Sequence, residues 1–209
     1  MSGVTAIKFG TDGWRAMMAT EFTMENVSKV AQAYADYMNG VSRGARVVIG
    51  YDYRENSENF SARFASILMG NGIEVLLSDK ACPTPAVSFT IVKEGYNGGI
   101  AITASHNPPG YNGVKIKTDF GGSAERNITD AVEALIGDGL IAPLTASEGA
   151  VVKPLKGLRH LFKETTISVA QLKEKFPGVG CGGLVSQVLD GIVLLPFPVK
   201  GASPHLFDQ

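Results

Sequence analysis

The sequence predicts an α/β fold: a three-layer α/β/α domain around a mostly parallel sheet. Three observations carry that expectation. Short β-branched runs alternate with amphipathic segments at helical spacing, in the order strand, helix, strand, helix, strand. Glycines and prolines punctuate the alternation where elements should end. The loops that follow the strands carry the polar and charged residues, which would collect them on one edge of the sheet, where open α/β sheets bind ligands.

The first recognisable stretch is Phe9-Gly10-Thr11-Asp12-Gly13-Trp14-Arg15, read as a tight turn with Arg15 projecting beyond it. A helix follows, with Thr23 at its start, Val27, Val30, Ala31, Tyr34 and Met38 on one face, and Gly40 at its end. Arg46 to Tyr51 is a β-branched strand, with Asp52-Tyr53-Arg54 at its carboxyl end. A second helix, from about Ser57, turns Phe60, Phe64, Ile67 and Leu68 inward and stops at Gly70 and Gly72. Ile73 to Leu77 is the next strand. Pro83-Thr84-Pro85 opens a third helix, with Pro85 suited to its first turn, and the helix closes near Gly95.

An apolar run, Gly99 to Ala104, reads as a buried strand that delivers Ser105-His106-Asn107-Pro108-Pro109-Gly110 into a braced loop. Asn112-Gly113 is a turn signal, after which Val114-Lys115-Ile116-Lys117 should return beside the serine strand, with both lysines on one face. Lys117 reads as a solvated lysine. Gly121-Gly122-Ser123 is a loop, and Asn127 to Leu140, with Val132, Leu135 and Ile136 on one face, is the closing helix. Beyond about Ala142 the texture changes. Pro143 to Gly157 reads as a linker, Leu158 to Phe176 and Leu184 to Leu189 as helices, and Ile192 to Phe197 as a strand.

The 209 residues are 44% hydrophobic and 19% charged, as a packed domain requires. A formal net charge of -1 provides no basic field for nucleic acid or an anionic membrane. No apolar run approaches bilayer-spanning length, and Met1 to Thr5 lacks a signal-peptide pattern. Cys82 and Cys181 stand far apart, which suits reduced thiols in a cytoplasmic protein.

Thr103-Ala104-Ser105-His106-Asn107-Pro108, followed by Tyr111-Asn112-Gly113-Val114-Lys115, resembles the phosphoserine loop of the α-D-phosphohexomutases, the family of phosphoglucomutase and phosphomannomutase. The resemblance covers roughly residues 1–145, matching the first of the family's four domains. It implies that residues 146–209 are a linker and an incomplete second α/β domain. It also implies a reaction in which Ser105 carries a phosphoryl group between O1 and O6 of a hexose. Hexose 1- or 6-phosphate and hexose 1,6-bisphosphate would be the partners. Ser105, Lys115, His106 and Arg15 are then the catalytic candidates, with Lys115 as general acid or base, its pKa lowered by burial and by Arg15. Arg54 and Asn107 are candidates for phosphate binding, since a guanidinium offers paired donors to phosphate; a salt-bridged Arg54 and a structural Asn107 before Pro108 are the competing readings. Tyr111 before Asn112-Gly113 resembles the glucose or mannose pattern more than the glucosamine one.

The family's cofactor is one Mg2+, which Ser105 would ligate through its phosphate. The Asp-x-Asp-x-Asp-Arg metal loop of the family's second domain has no counterpart here; Asp190 and Asp208 stand alone. The resemblance therefore implies an N-terminal portion that is inactive by itself. The alternative is a non-catalytic anion-binding or oligomerisation role for the same fold, with self-association through the partial second domain. A Ser-His hydrolase fits poorly, because Ser105 lacks the Gly-x-Ser-x-Gly setting. A serine-dependent phosphatase is a third possibility.

Overall fold

The computed structural model describes residues 7–142, apart from Thr11 and Asp138, together with strand segments at 153–154, 187–189 and 192–194. The chain divides into two compact units, Met1–Lys156 and Gly157–Gln209. The expected boundary at residue 145 and the expected helix at 158–176 lie outside the described residues.

In the first unit, β1 (Trp14–Met17), β2 (Arg46–Tyr51), β3 (Glu74–Leu77), β4 (Gly98–Ile102), β5 (Tyr111–Thr118) and β6 (Lys153–Pro154) form one mixed sheet. The strand order is β1-β5-β4-β2-β3-β6. β4, β2, β3 and β6 run parallel, and β5 and β1 are added antiparallel at one side. The described residues of the unit also form four helices: α1 (Met24–Val41), α2 (Ser57–Gly70), α3 (Thr84–Glu94) and α4 (Arg126–Leu135). From β2 the chain moves to β3 on one side and then, through α3, to β4 on the other. The carboxyl ends of β2 and β4 therefore flank a topological switch point, the position at which open α/β sheets hold ligands.

The three layers follow from side-chain alternation along the strands. Val47, Ile49, Ile100 and Ile102 join the core under α1 and α2, which includes Tyr34, Phe64, Ile67 and Leu68. On the opposite face, the Cβ positions of Gly50 and Gly99 come up against Val87 of α3. Small residues there let helix and sheet approach closely. An aromatic cluster of Trp14, Phe22 and Phe60 closes the core beneath β1, with ring centroids 4.6 and 4.9 Å apart.

Local signals explain the helix ends. Thr23 accepts the Asn26 amide as N-cap of α1. Gly95, at φ 66°, takes the left-handed conformation that ends α3.

Four expectations are corrected. Asn112 and Gly113 form no turn; they lie inside β5, paired with Ala16 and Arg15 of β1. The reversal occurs earlier, where Tyr111 N donates to Pro108 O. The closing helix stops at Leu135 instead of Leu140, ahead of two glycines, 137 and 139, that favour its end, and Leu135 is exposed. Lys117 is not solvated: it is 8% exposed and donates to Ser123 Oγ at 3.0 Å. In the second unit, Gln187–Leu189 is a strand (β7) and not part of a helix; it pairs antiparallel with β8 (Ile192–Leu194). Only Asp190 and Gly191, a hairpin-favouring pair, separate the two.

Candidate active site

The strand β4 ends at Ile102, and Thr103 N still donates to Gly113 O of β5, so the serine loop starts from a fully paired support. Ser105 follows at φ 53°, a left-handed conformation that costs a non-glycine residue about 1–2 kcal/mol. Its amide donates to Thr103 Oγ1 at 3.0 Å, and Asn107 N donates to Ala104 O at 3.0 Å. The residue is exposed, so its hydroxyl is presented at the surface of a rigid turn. Backbone strain of this kind is retained where the surroundings over-determine it.

Around this loop the structure assembles several of the expected residues. Arg15, in β1, donates from Nη1 to Asn107 Oδ1 at 3.3 Å and from Nη2 to Asp12 Oδ2 at 3.2 Å. Lys115, in β5 and 7% exposed, donates to the same Asp12 oxygen at 2.5 Å. Asp12 Oδ1 accepts from Ser123 Oγ at 3.1 Å. Arg15 and Lys115 are thus gathered on one carboxylate, and Arg15 ties that group to the serine loop. His106 is exposed, and its imidazole makes no hydrogen bond among the described residues.

Asp12 and Ser123 were not singled out in the sequence. Burial raises the Asp12 pKa, but hydrogen bonds from Lys115 and Ser123 and the charges of Lys115 and Lys117 outweigh it, leaving the carboxyl below its ordinary value. Lys117 moves the other way from an ordinary lysine: burial and the Lys115 charge lower its pKa, against the pull of Asp12. The Asp-Gly pair at 12–13 marks a turn, but nothing local signals a contact with Lys115, 103 residues away.

Arg54 was expected to help hold phosphate. Its donors are directed elsewhere, to the carbonyls of Ser105, Asn107, Pro108 and Tyr111 and to the Asp52 carboxylate. An open groove of about 480 Å³ lies beside it, lined by Asp52, Tyr53, Glu55, Ser105, Asn107 and Pro109.

A family model described as the α/β/α domain I of phosphoglucomutase/phosphomannomutase matches residues 6–139. The chain belongs to this family. Among curated relatives of these phosphohexomutases, a phosphoglucomutase from Staphylococcus saprophyticus is 37% identical over 68% of this chain and 26% of its own length. A phosphoglucosamine mutase from Lachnoclostridium phytofermentans is 35% identical over 95% of this chain and 44% of its own length. A crystal structure of a putative phosphomannomutase from Thermus thermophilus superposes with a TM-score of 0.68 at 33% identity, covering 79% of this chain and 37% of that one. The chain therefore spans less than half the length of the relatives it matches. Homologues with these names place it in a phosphosugar mutase family of isomerases, and the expected α/β fold of that family is present.

Mg2+ is the metal that family membership brings into question. Among the described residues, no group of three or more His, Cys, Asp or Glu side chains could hold a metal ion. Of the carboxylates near the loop, Asp12 and Asp52 already have both oxygens engaged. These residues do not by themselves fit a Mg2+ ion, and no step below is routed through one. No described helix is long and apolar enough to cross a membrane.

Proposed function

We propose that this chain is the phosphoserine-bearing part of a phosphohexomutase acting on hexose 1- or 6-phosphate, in a cytoplasmic setting. The observation that carries the reading is the placement of Ser105 at the switch point of the sheet, in a left-handed turn linked through Asn107 to Arg15. A hydroxyl fixed at the edge of a cationic cluster suits a group that alternately gains and loses a dianionic phosphate.

In the forward half-reaction the P–O bond to Ser105 Oγ breaks and a new P–O bond forms to a free hydroxyl of the hexose monophosphate. The sugar hydroxyl gives up its proton and Ser105 Oγ is left to be protonated, so no water is consumed. The product is hexose 1,6-bisphosphate. The second half-reaction reverses these steps with the other phosphate, leaving the phosphate moved between O1 and O6. Lys115 is the proton-transfer group in this reading, held in place by Asp12. Arg15 offsets phosphate charge, and His106, exposed beside the serine, assists at the sugar.

The test is phosphate on Ser105. The native-length protein is exposed to hexose 1,6-bisphosphate and analysed by intact mass and peptide mapping. One phosphate on the peptide carrying Ser105 is expected; a peptide that stays unmodified overturns the reading. A mutase assay on the 209 residues alone is expected to show no turnover. Activity above background would show that this portion suffices.

A further inference from the structure

Four backbone carbonyls of the serine loop converge on a single guanidinium. Arg54 Nη1 donates to Pro108 O at 2.8 Å and to Tyr111 O at 3.1 Å. Nη2 donates to Ser105 O at 2.8 Å and to Asn107 O at 2.6 Å. The remaining donor, Nε, lies 3.3 Å from Asp52 Oδ2. The four terminal N–H groups of the guanidinium are thus all used on the loop carbonyls, and Nε faces a carboxylate. Its paired terminal donors are turned to the loop and not to the open groove beside it.

We propose that Arg54 is the positioning residue of the serine loop: it holds four inward-turned carbonyls together and thereby fixes Ser105 in its left-handed conformation, aiming the hydroxyl without touching the substrate. The proposal rests on the reading of Ser105 as phosphoryl carrier for its consequence in catalysis; the clamp itself does not depend on it. Carbonyl oxygens gathered on one point repel one another, so a loop that curls this way needs a cation with several directed donors at its centre. Ser105 is one of two non-glycine residues with positive φ among the described residues, and it is one of the four whose carbonyl Arg54 grips.

The clamp is itself anchored. Asp52 Oδ1 accepts from Arg54 N at 3.0 Å and from Ser57 Oγ at 2.8 Å, while its other oxygen faces the guanidinium. Ser57 Oγ in turn accepts from Asn112 Nδ2 at 2.9 Å, and both residues are buried. The end of β2, the start of α2, the serine loop and the start of β5 are thus one hydrogen-bonded body. This explains a requirement for arginine over lysine: an ammonium carries three donors on one atom and cannot span four acceptors and a carboxylate.

The test uses the 209-residue chain and does not require turnover. Amide hydrogen exchange is followed in peptides covering 103–111 for the wild type, Arg54→Lys, Arg54→Ala and Asp52→Asn, with thermal unfolding as the control for folding. Exchange in this segment should rise about 10-fold or more in both Arg54 variants and less in Asp52→Asn. Added methylguanidinium should restore protection to Arg54→Ala, and ammonium should not. Unchanged exchange in folded Arg54→Ala, or full protection in Arg54→Lys, overturns the clamp; if neither Arg54 variant folds, Asp52→Asn decides in the same way. In the native-length enzyme, Arg54→Lys should lower kcat with little change in KM for hexose phosphate, whereas a rise in KM alone would make Arg54 a phosphate ligand and overturn the proposal. Failure of Ser105 to accept phosphate would defeat the functional reading and leave the exchange result standing.

Discussion

Lys115 Nζ lies 2.5 Å from Asp12 Oδ2, although 103 residues separate the two in sequence. The pair joins β5 to the N-terminal turn, and Arg15 shares the same oxygen at 3.2 Å. The lysine therefore cannot swing freely: Asp12 fixes the position of its ammonium group next to the serine strand. If Lys115 moves protons in phosphoryl transfer, Lys115→Met should lower kcat about 10²–10⁴-fold, the range typical of lost general acid–base catalysis. Asp12→Asn keeps the lysine but loosens it, and should cost about 10-fold, with KM nearly unchanged. Steady-state kinetics on the native-length protein check both. A Lys115→Met enzyme with full kcat would remove the residue from the chemistry.

The same carboxylate makes a prediction about acid. The folded-state pKa of Asp12 lies below its ordinary value of 3.8, and that of Glu133 lies below 4.5. For Glu133, burial pushes upward and is outweighed by the bond from Lys8 and by the Phe9 amide. A depressed carboxyl pKa means that the unfolded chain binds protons first as pH falls. The stabilisation is complete above the unfolded values of about 4–4.5, shrinks below them, and is gone once pH passes below the folded values. Denaturant melts between pH 7 and pH 3 should show stability falling through this window. Asp12→Asn should flatten the fall; an unchanged slope would mean that Asp12 adds nothing to acid sensitivity.

Gly113 tests the pairing of β5 with both its neighbours. A Cβ on this residue would sit 2.7 Å from Thr103 O, just beyond the end of β4, and 2.7 Å from Trp14 O of β1, both backbone atoms. Neither can retreat without opening the sheet. Gly113→Ala should therefore cost about 2 kcal/mol or more, lowering Tm by roughly 4–8 °C. Gly110→Ala is the control, since no atom lies within 4 Å of its added carbon. Equal Tm values for the two variants would show that the close approach at Gly113 carries no cost.

Those elements also show what was legible in the chain and what was not. β2, α1, α2 and α3 follow from short-range information: β-branched residues in Arg46–Tyr51, the Thr23 cap, the helical spacing of Phe60, Phe64 and Ile67, and Gly95 as a stop. The exposed turn at Ser105 was legible because prolines and glycine surround it. β1 was missed, since Trp14–Met17 is too short to show a period and forms only by pairing with β5. Asn112-Gly113 was misread for the reverse reason. Locally it favours a turn, but Asn112 is fully buried, with its carboxamide bonded to Ser57 and to the Gly113 amide, and Gly113 is there for its lack of a side chain. The Asp12–Lys115 pair and the Arg54 clamp are long-range contacts, which periodicity and turn chemistry do not encode.

Ser105 itself separates stability from chemistry. At φ 53° its Cβ pays a steric cost that glycine avoids. Alanine keeps that cost and removes the hydroxyl; glycine removes both. Ser105→Gly should accordingly be more stable than Ser105→Ala by about 1 kcal/mol, even though glycine gives the unfolded chain more freedom to lose. Both variants should fail to take up phosphate from hexose 1,6-bisphosphate. Urea melts of the two variants measure the first difference and intact mass the second. If Ser105→Ala proved the more stable, the left-handed turn would not be strained in solution. If Ser105→Gly still gained one phosphate, the acceptor would be another residue, and the loop's rigid presentation of this hydroxyl would need a different explanation from phosphoryl transfer.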